Sequence, residues 1–366
     1  MELLKLRLNA ARFRQRFIYK NARGRGAFGP SFSLAVLLFL SVSSFGRAED
    51  AEDFFKGKAI DLIVASTPGG GYDAMARVYA RHLPRYIPGA PSVVVRNMPG
   101  AGGLVAANYL YNTASRDGTV IATVQQGVVF QPLFGEKQAR FDALKFNWIG
   151  NANSEVGIFL VWHTSKVKTM QDAMSSEIAS AATDGGSSTA FTYRLLNGLL
   201  GTKLKIVTGY PGANESFMAL ERGEAEGFFT VWTSLKARTN LLRNNLVRML
   251  VQIAMEKASD LPDVPLASDF VKSDFDRQVL ELSEAPGSLG RPYIAPPGVP
   301  PERLRMLQTA FVNTSKDETF RKELASVNLE IENVMSGPEA AALLQRFYQS
   351  PKEVVAKVES LTKPTD

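Results

Sequence analysis

Short runs of β-branched and aliphatic residues recur along this chain, and each gives way to a loop and then to an amphipathic stretch. Ile60 to Ala65 is the first run. The loop Ser66-Thr67-Pro68-Gly69-Gly70-Gly71-Tyr72-Asp73 follows, then a helix with Met75, Val78, Tyr79 and His82 on one face at 3.6-residue spacing. The unit repeats as a strand at 92–96, the loop Asn97 to Gly103 and a helix at 104–112. Asp117-Gly118 then turns the chain into a strand at 119–124. The middle third keeps the rhythm. Strands are expected at 158–161, 178–182, 205–208, 228–231 and 248–253. A capping box is expected at Thr169 to Asp172, with Asp in place of Glu, and a helix capped by Asn214 ending at Gly223. After Pro296 the chain turns helical, at 302–314, 317–326, 338–348 and 351–360. Strands alternating with helices predict an α/β fold of mostly parallel sheets flanked by helices. The 366 residues suffice for two domains.

Composition narrows the chemistry. There is no Cys, so disulfides, thiolate metal sites and a cysteine nucleophile are excluded, as is a lipid-modified N-terminal cysteine. The two histidines, His82 and His163, are too far apart in sequence for an HExxH helix, and both read as structural residues. No metal site and no cofactor is expected. The net charge of +6 is misleading. Residues 1–48 hold nine basic groups and one acid, whereas residues 49–366 hold 33 basic and 35 acidic groups. The basic surplus therefore belongs to the N-terminus, and the body shows no nucleic-acid footprint.

That N-terminus has the order of an export signal: a basic region to Arg25, an apolar centre at Leu34 to Leu40, and Gly46-Arg47-Ala48 before Glu49. The apolar centre is short for a membrane span of about 20 residues. A cleaved signal peptide over 1–48 and a periplasmic body are expected. An uncleaved anchor is the alternative, and the long basic region leaves a downstream start open.

Three loops, at 66–73, 97–103 and 183–189, each follow a strand and open a helix. Such a loop offers free backbone N–H groups to an anion, and its glycines let a ligand approach closely. No GxxxxGK[ST] string exists, and Gly100-Ala101-Gly102-Gly103 lacks the third glycine of a dinucleotide fingerprint. The loops at 66–73 and 183–189 contain no Lys or Arg, which favours a carboxylate over a polyphosphate. Ser66, Thr67, Ser187, Ser188 and Thr189 supply hydroxyl donors. Asp73 reads as a helix-capping residue, and Asp184 as a reader of a donor group on the ligand. Trp232 and Tyr210 read either as pocket walls or as core.

The strings Pro68-Gly69-Gly70-Gly71-x-Asp73-x-x-Ala76-Arg77, Asn97-x-Pro99-Gly100-Ala101-Gly102-Gly103 and Asp117-Gly118-Thr119 resemble the opening signatures of the Bug family. These are the extracytoplasmic solute receptors of tripartite tricarboxylate transporters. Trp148-Ile149-Gly150, Leu220-x-x-Gly223-Glu224, Leu261-Pro262-Asp263-Val264-Pro265 and Ala295-Pro296-x-Gly298-x-Pro300 follow in the family's order, over about residues 56–360. The resemblance implies a two-domain, type II-like periplasmic binding protein with a ligand cleft between lobes. Domain 1 would be 49–155 with 284–366, and domain 2 would be 156–283. It also implies a small carboxylate ligand and a membrane permease with large and small subunits. The residues themselves give catalysis little support, since there is no GxSxG string and no obvious nucleophile–base pair. A ligand sensor for a membrane signalling protein and an exported hydrolase on the same fold are the alternatives. A monomer is expected. The ligand-binding residues would be Ser66, Thr67, Gly69, Gly70, Gly71, Tyr72, Asp73, Gln126, Asp184, Gly185, Ser187, Ser188, Thr189 and Trp232. Two features depart from the family: Gly186 to Phe191 lacks its histidine, and Phe228-Phe229-Thr230 carries Thr where Asp is usual. The stretch 266–291 fits it poorly.

Overall fold

A computed structural model describes residues 53–362 apart from Asp184, Gly186 and Pro211. The expected signal peptide and Asp184 lie outside the described residues. The strands are β1 (Ala59–Val64), β2 (Ser92–Asn97), β3 (Val120–Thr123), β4 (Asn147–Asn151), β5 (Gly157–Trp162), β6 (Glu177–Ala181), β7 (Lys203–Val207), β8 (Gly227–Val231), β9 (Val247–Ile253), β10 (Pro292–Ala295) and β11 (Met335–Ser336). Helices in the first half are α1 (Gly71–His82), α2 (Leu104–Asn112), α3 (Met170–Ser175), α4 (Ser188–Leu200) and α5 (Ala213–Glu221). The rest are α6 (Trp232–Lys236), α7 (Thr239–Arg243), α8 (Asp274–Ser288), α9 (Pro301–Lys316), α10 (Glu318–Ser326), α11 (Gly337–Tyr348) and α12 (Lys352–Thr362).

The strands form two sheets, ordered β11-β4-β10-β3-β1-β2 and β7-β6-β8-β5-β9. Most strands within each sheet share a direction, as the βα rhythm predicts. Both sheets are nevertheless mixed rather than mostly parallel in their pairing. In the first, β10 lies antiparallel between β3 and β4, and β11 is antiparallel to β4. In the second, β5 lies antiparallel between β8 and β9. The cause is the chain path. β5 and β10 are the first strands formed after the chain passes from one sheet to the other, and each inserts against the local direction.

Alternation along β1 builds two layers. Ile60, Leu62 and Val64 pack with Tyr79, Phe311 and Phe320 on one face, while Ile63 packs with Leu104, Leu110 and Phe130 on the other. The Tyr79 and Phe311 rings stack at 5.1 Å, and the Tyr79 hydroxyl meets Ser315 Oγ at 2.8 Å. In the second sheet Ile158, Leu160 and Trp162 pack with Phe217 and Phe228, and Phe159 and Val161 face Tyr193.

Local signals held unevenly. Thr169 and Asp172 form the expected reciprocal capping box. Asn214 does not cap α5: Gly212 occupies the N-cap, and Asn214 accepts a hydrogen bond from Arg238 instead. Helix α8 lies in the stretch 266–291, to which the sequence reading assigns no element; it runs unbroken through 283/284. Its proline lies in the last turn, so the missing N–H costs one backbone hydrogen bond near the helix end. α12 packs against α4 and α8, beside the second sheet. No helix among the described residues is long and apolar enough to cross a membrane.

Candidate functional site

The first glycine loop is held from below by one buried acid. Asp73 is only 2% exposed, and its carboxylate accepts hydrogen bonds from the Gly69 amide (2.8 Å), Asn97 Nδ2 (2.8 Å) and Arg77 Nε (2.9 Å). Burial by itself would raise its pKa. The hydrogen bonds from Arg77, Gly69 and Asn97 outweigh that and hold the carboxyl below its usual range. Asp73 thus ties loop, helix and the end of β2 together. Gly70 is the N-cap of α1 and has no capping side chain. The first-turn amides of α1 therefore have no intrahelical partner. Gly69 sits at φ +86°, a left-handed conformation that glycine adopts without strain.

Tyr72 joins three segments. Its hydroxyl donates to the Gly290 carbonyl at 2.7 Å and accepts the Gln126 amide at 3.0 Å. Burial raises its pKa against the opposing charge of Arg291. Ser66, Thr67, Gly69 to Asp73 and Gln126 are thereby brought to one end of the first sheet, beside the crossover that returns from the second.

Gly185, Ser187, Ser188 and Thr189 lie at the end of β6 in the second sheet. Ser187 is the N-cap of α4 and accepts the Ala190 amide at 3.2 Å. Arg194 holds this loop, donating to the Gly185 carbonyl and, through Nε, to the Leu361 carbonyl of α12, both at 2.8 Å. Trp232 is 6% exposed, packs with Leu160, Phe228 and Leu235, and donates its indole N–H to Asp260 at 2.8 Å. That is the core position of its two readings. Tyr210 packs against the same cluster.

A cavity of about 480 Å³ opens between the two sheets. Met75 of α1 and Leu329 wall one side, and Thr233, Ser234 and Lys236 of α6 the other. Asn153, Glu155 and Arg291 come from the two crossovers. Glu155 accepts from Thr233 Oγ1 at 3.1 Å and Asn153 Nδ2 at 3.3 Å. Lys236 meets Glu332 at 2.9 Å, Glu330 at 3.1 Å and Asp260 at 3.4 Å. The Arg291 guanidinium lies 4.1 Å from the centre of the Tyr72 ring. Sequence reading missed these polar residues. Asn153, Glu155 and Arg291 lie in connections without periodicity, and α6 is too short to show any. A Gly-rich loop advertises itself, whereas a crossover charge does not.

The profile described as "Tripartite tricarboxylate transporter family receptor" matches residues 75–359. The chain belongs to this receptor family. A curated relative from Cupriavidus necator, "UPF0065 protein in gbd 5'region", is 25% identical to this receptor over 317 residues, covering 85% of this chain and 90% of its own. A TctC solute binding protein from Polaromonas superposes with a TM-score of 0.67 at 19% identity, covering 83% of this receptor and 98% of itself. MatC from Rhodopseudomonas palustris with bound malate gives 0.52 at 20% identity, over 84% and 100% respectively. The two-lobed receptor fold expected from the sequence is the one observed.

Proposed function

We propose that this receptor captures a small carboxylate between its two lobes in the periplasm and delivers it to a membrane permease with large and small subunits. The observation that carries the reading is the α1 N-terminus, whose first-turn amides are uncapped and whose Gly71 lies against Arg291, a residue of the cavity between the sheets. The malate bound to MatC supports the ligand class. The lobes follow the sheets: 49–155 and 284–366 supply the strands of the first and 156–283 those of the second, with α8 spanning 283/284 and α12 returning to the second. Binding draws on Ser66, Thr67, Gly69 to Asp73 and Gln126 from one lobe, with Asp184, Gly185 and Ser187 to Thr189 from the other. Trp232 supports the second wall from behind. The protein acts by binding and closure, not turnover, as a monomer exported through a cleaved signal peptide.

The test is a thermal-shift screen of residues 49–366 against mono-, di- and tricarboxylates, aromatic acids and amino acids. A ligand that binds only the native state raises the melting temperature by mass action. A shift with one acid class, absent with its amides, is expected. No shift with any acid, from protein shown by mass spectrometry to be ligand-free, would refute the reading.

A further inference from the structure

The cavity between the sheets holds two cations, and they are not alike. Lys236 is shared among three carboxylates. Among the described residues, Arg291 has only the Tyr72 hydroxyl and a long approach to one carboxylate. Its side chain is 16% exposed, its nearest carboxylate oxygen is on Glu155 at 3.9 Å, and its Nε is buried with no hydrogen-bond partner. Glu155 in turn is held by Thr233 and Asn153. A half-buried guanidinium whose Nε has no partner is incompletely compensated for its lost hydration and gains most from a planar, bidentate acceptor.

The position of this group is fixed. The Arg291 amide donates to Asn151 Oδ1 at 2.9 Å, and its carbonyl accepts the Ala152 amide at 2.9 Å, so the two crossovers brace its backbone. The guanidinium then lies over Tyr72, where a Cβ on Gly71 would come within 3.2 Å of Nη2. Gly71 therefore leaves the space that Arg291 occupies, beside the first-turn amides of α1.

We infer that Arg291 is the counterion of the bound acid, a specificity-determining residue that makes this receptor select anionic over neutral ligands. The inference rests on the carboxylate reading of the site. The ligand carboxylate takes the guanidinium fork on one side and the α1 amides on the other. Arg291 belongs to the crossover that returns to the first sheet, so the charged contact forms at the pivot between the lobes.

Calorimetric titration of wild type, Arg291→Gln and Arg291→Lys with malate, succinate and the best acid of the screen tests this. A lost charge-assisted contact should weaken the best acid by about tenfold or more in Arg291→Gln. Arg291→Lys keeps the charge but not the fork and should fall between. The difference should narrow as salt is raised, because screening weakens an ion pair that keeps some solvent contact. If Arg291→Gln does not fold, Arg291→Lys decides, and parity with wild type overturns the inference. Affinity in Arg291→Gln within twofold of wild type overturns it, as does a loss that ignores salt. Absence of acid binding by wild type would overturn the carboxylate reading and this inference together, which separates the two failures.

Discussion

Three consecutive glycines at 69–71 do three different jobs. Gly69 needs its positive φ, and alanine there should cost about 1 kcal/mol of stability, read by urea denaturation. Gly70 has an ordinary φ of −79°, and an added Cβ would meet nothing nearer than the Thr67 carbonyl at 3.8 Å. Gly70→Val should therefore fold with a melting temperature close to wild type yet lose the ligand-induced shift, because the branched side chain stands where the acid approaches. A retained shift would remove this loop from the site. Asp73 adds a pH dependence. Its folded pKa lies below the usual value, so its contribution to stability is present above the unfolded pKa. That contribution is lost as pH falls through the folded pKa. Wild type should lose stability below about pH 4, and Asp73→Asn should show a shallower acid limb in denaturation midpoints.

Helix α8 carries the other titrating acid of note. Glu284 is 7% exposed, its Oε1 has no partner, and burial together with the nearby charge of Glu281 pushes its pKa up to about 8. Between the unfolded value and about 8 the native state holds a proton that the unfolded chain has released, so stability falls as pH rises through that window. Glu284→Gln should flatten this slope and unfold at higher urea than wild type at pH 8.5. An unchanged slope would show that Glu284 is already ionised. The same helix marks where sequence reading stops. β1, α1, β2 and α2 were legible because period-2 and period-3.6 patterns meet at glycine loops. α8 falls in the stretch 266–291, which matches no family string and yields no expected element, and α6 and α7 are too short to show a period. β10, four residues long, takes its place from the partner strands β3 and β4 rather than from any pattern of its own. In the site, the loops were readable and the charges were not. Arg291, Glu155 and Lys236 become neighbours only through tertiary packing.

Across the whole body, Lys236 joins α6 of the second sheet to Glu330 and Glu332, which flank a core residue of the first, Ile331. Lys236→Met should loosen this link. A larger radius of gyration for the ligand-free variant in small-angle scattering is the expected result, with faster ligand release. Identical scattering profiles would mean that apolar contacts alone set the lobe separation. The chain passes between the sheets at 152–156 and again at 289–291, and α12 then returns from the first-sheet helix α11 to lie on α4 and α8. Arg194 makes the last return consequential, since one guanidinium grips both the Gly185 carbonyl and that of Leu361. The C-terminal helix and the second ligand loop therefore share an anchor. The protein contains no cysteine, so Ser360→Cys, on the exposed side of α12, would create a single labelling position. An environment-sensitive dye there would convert ligand capture by the loop into light, making the receptor a reagentless optical sensor for its own solute.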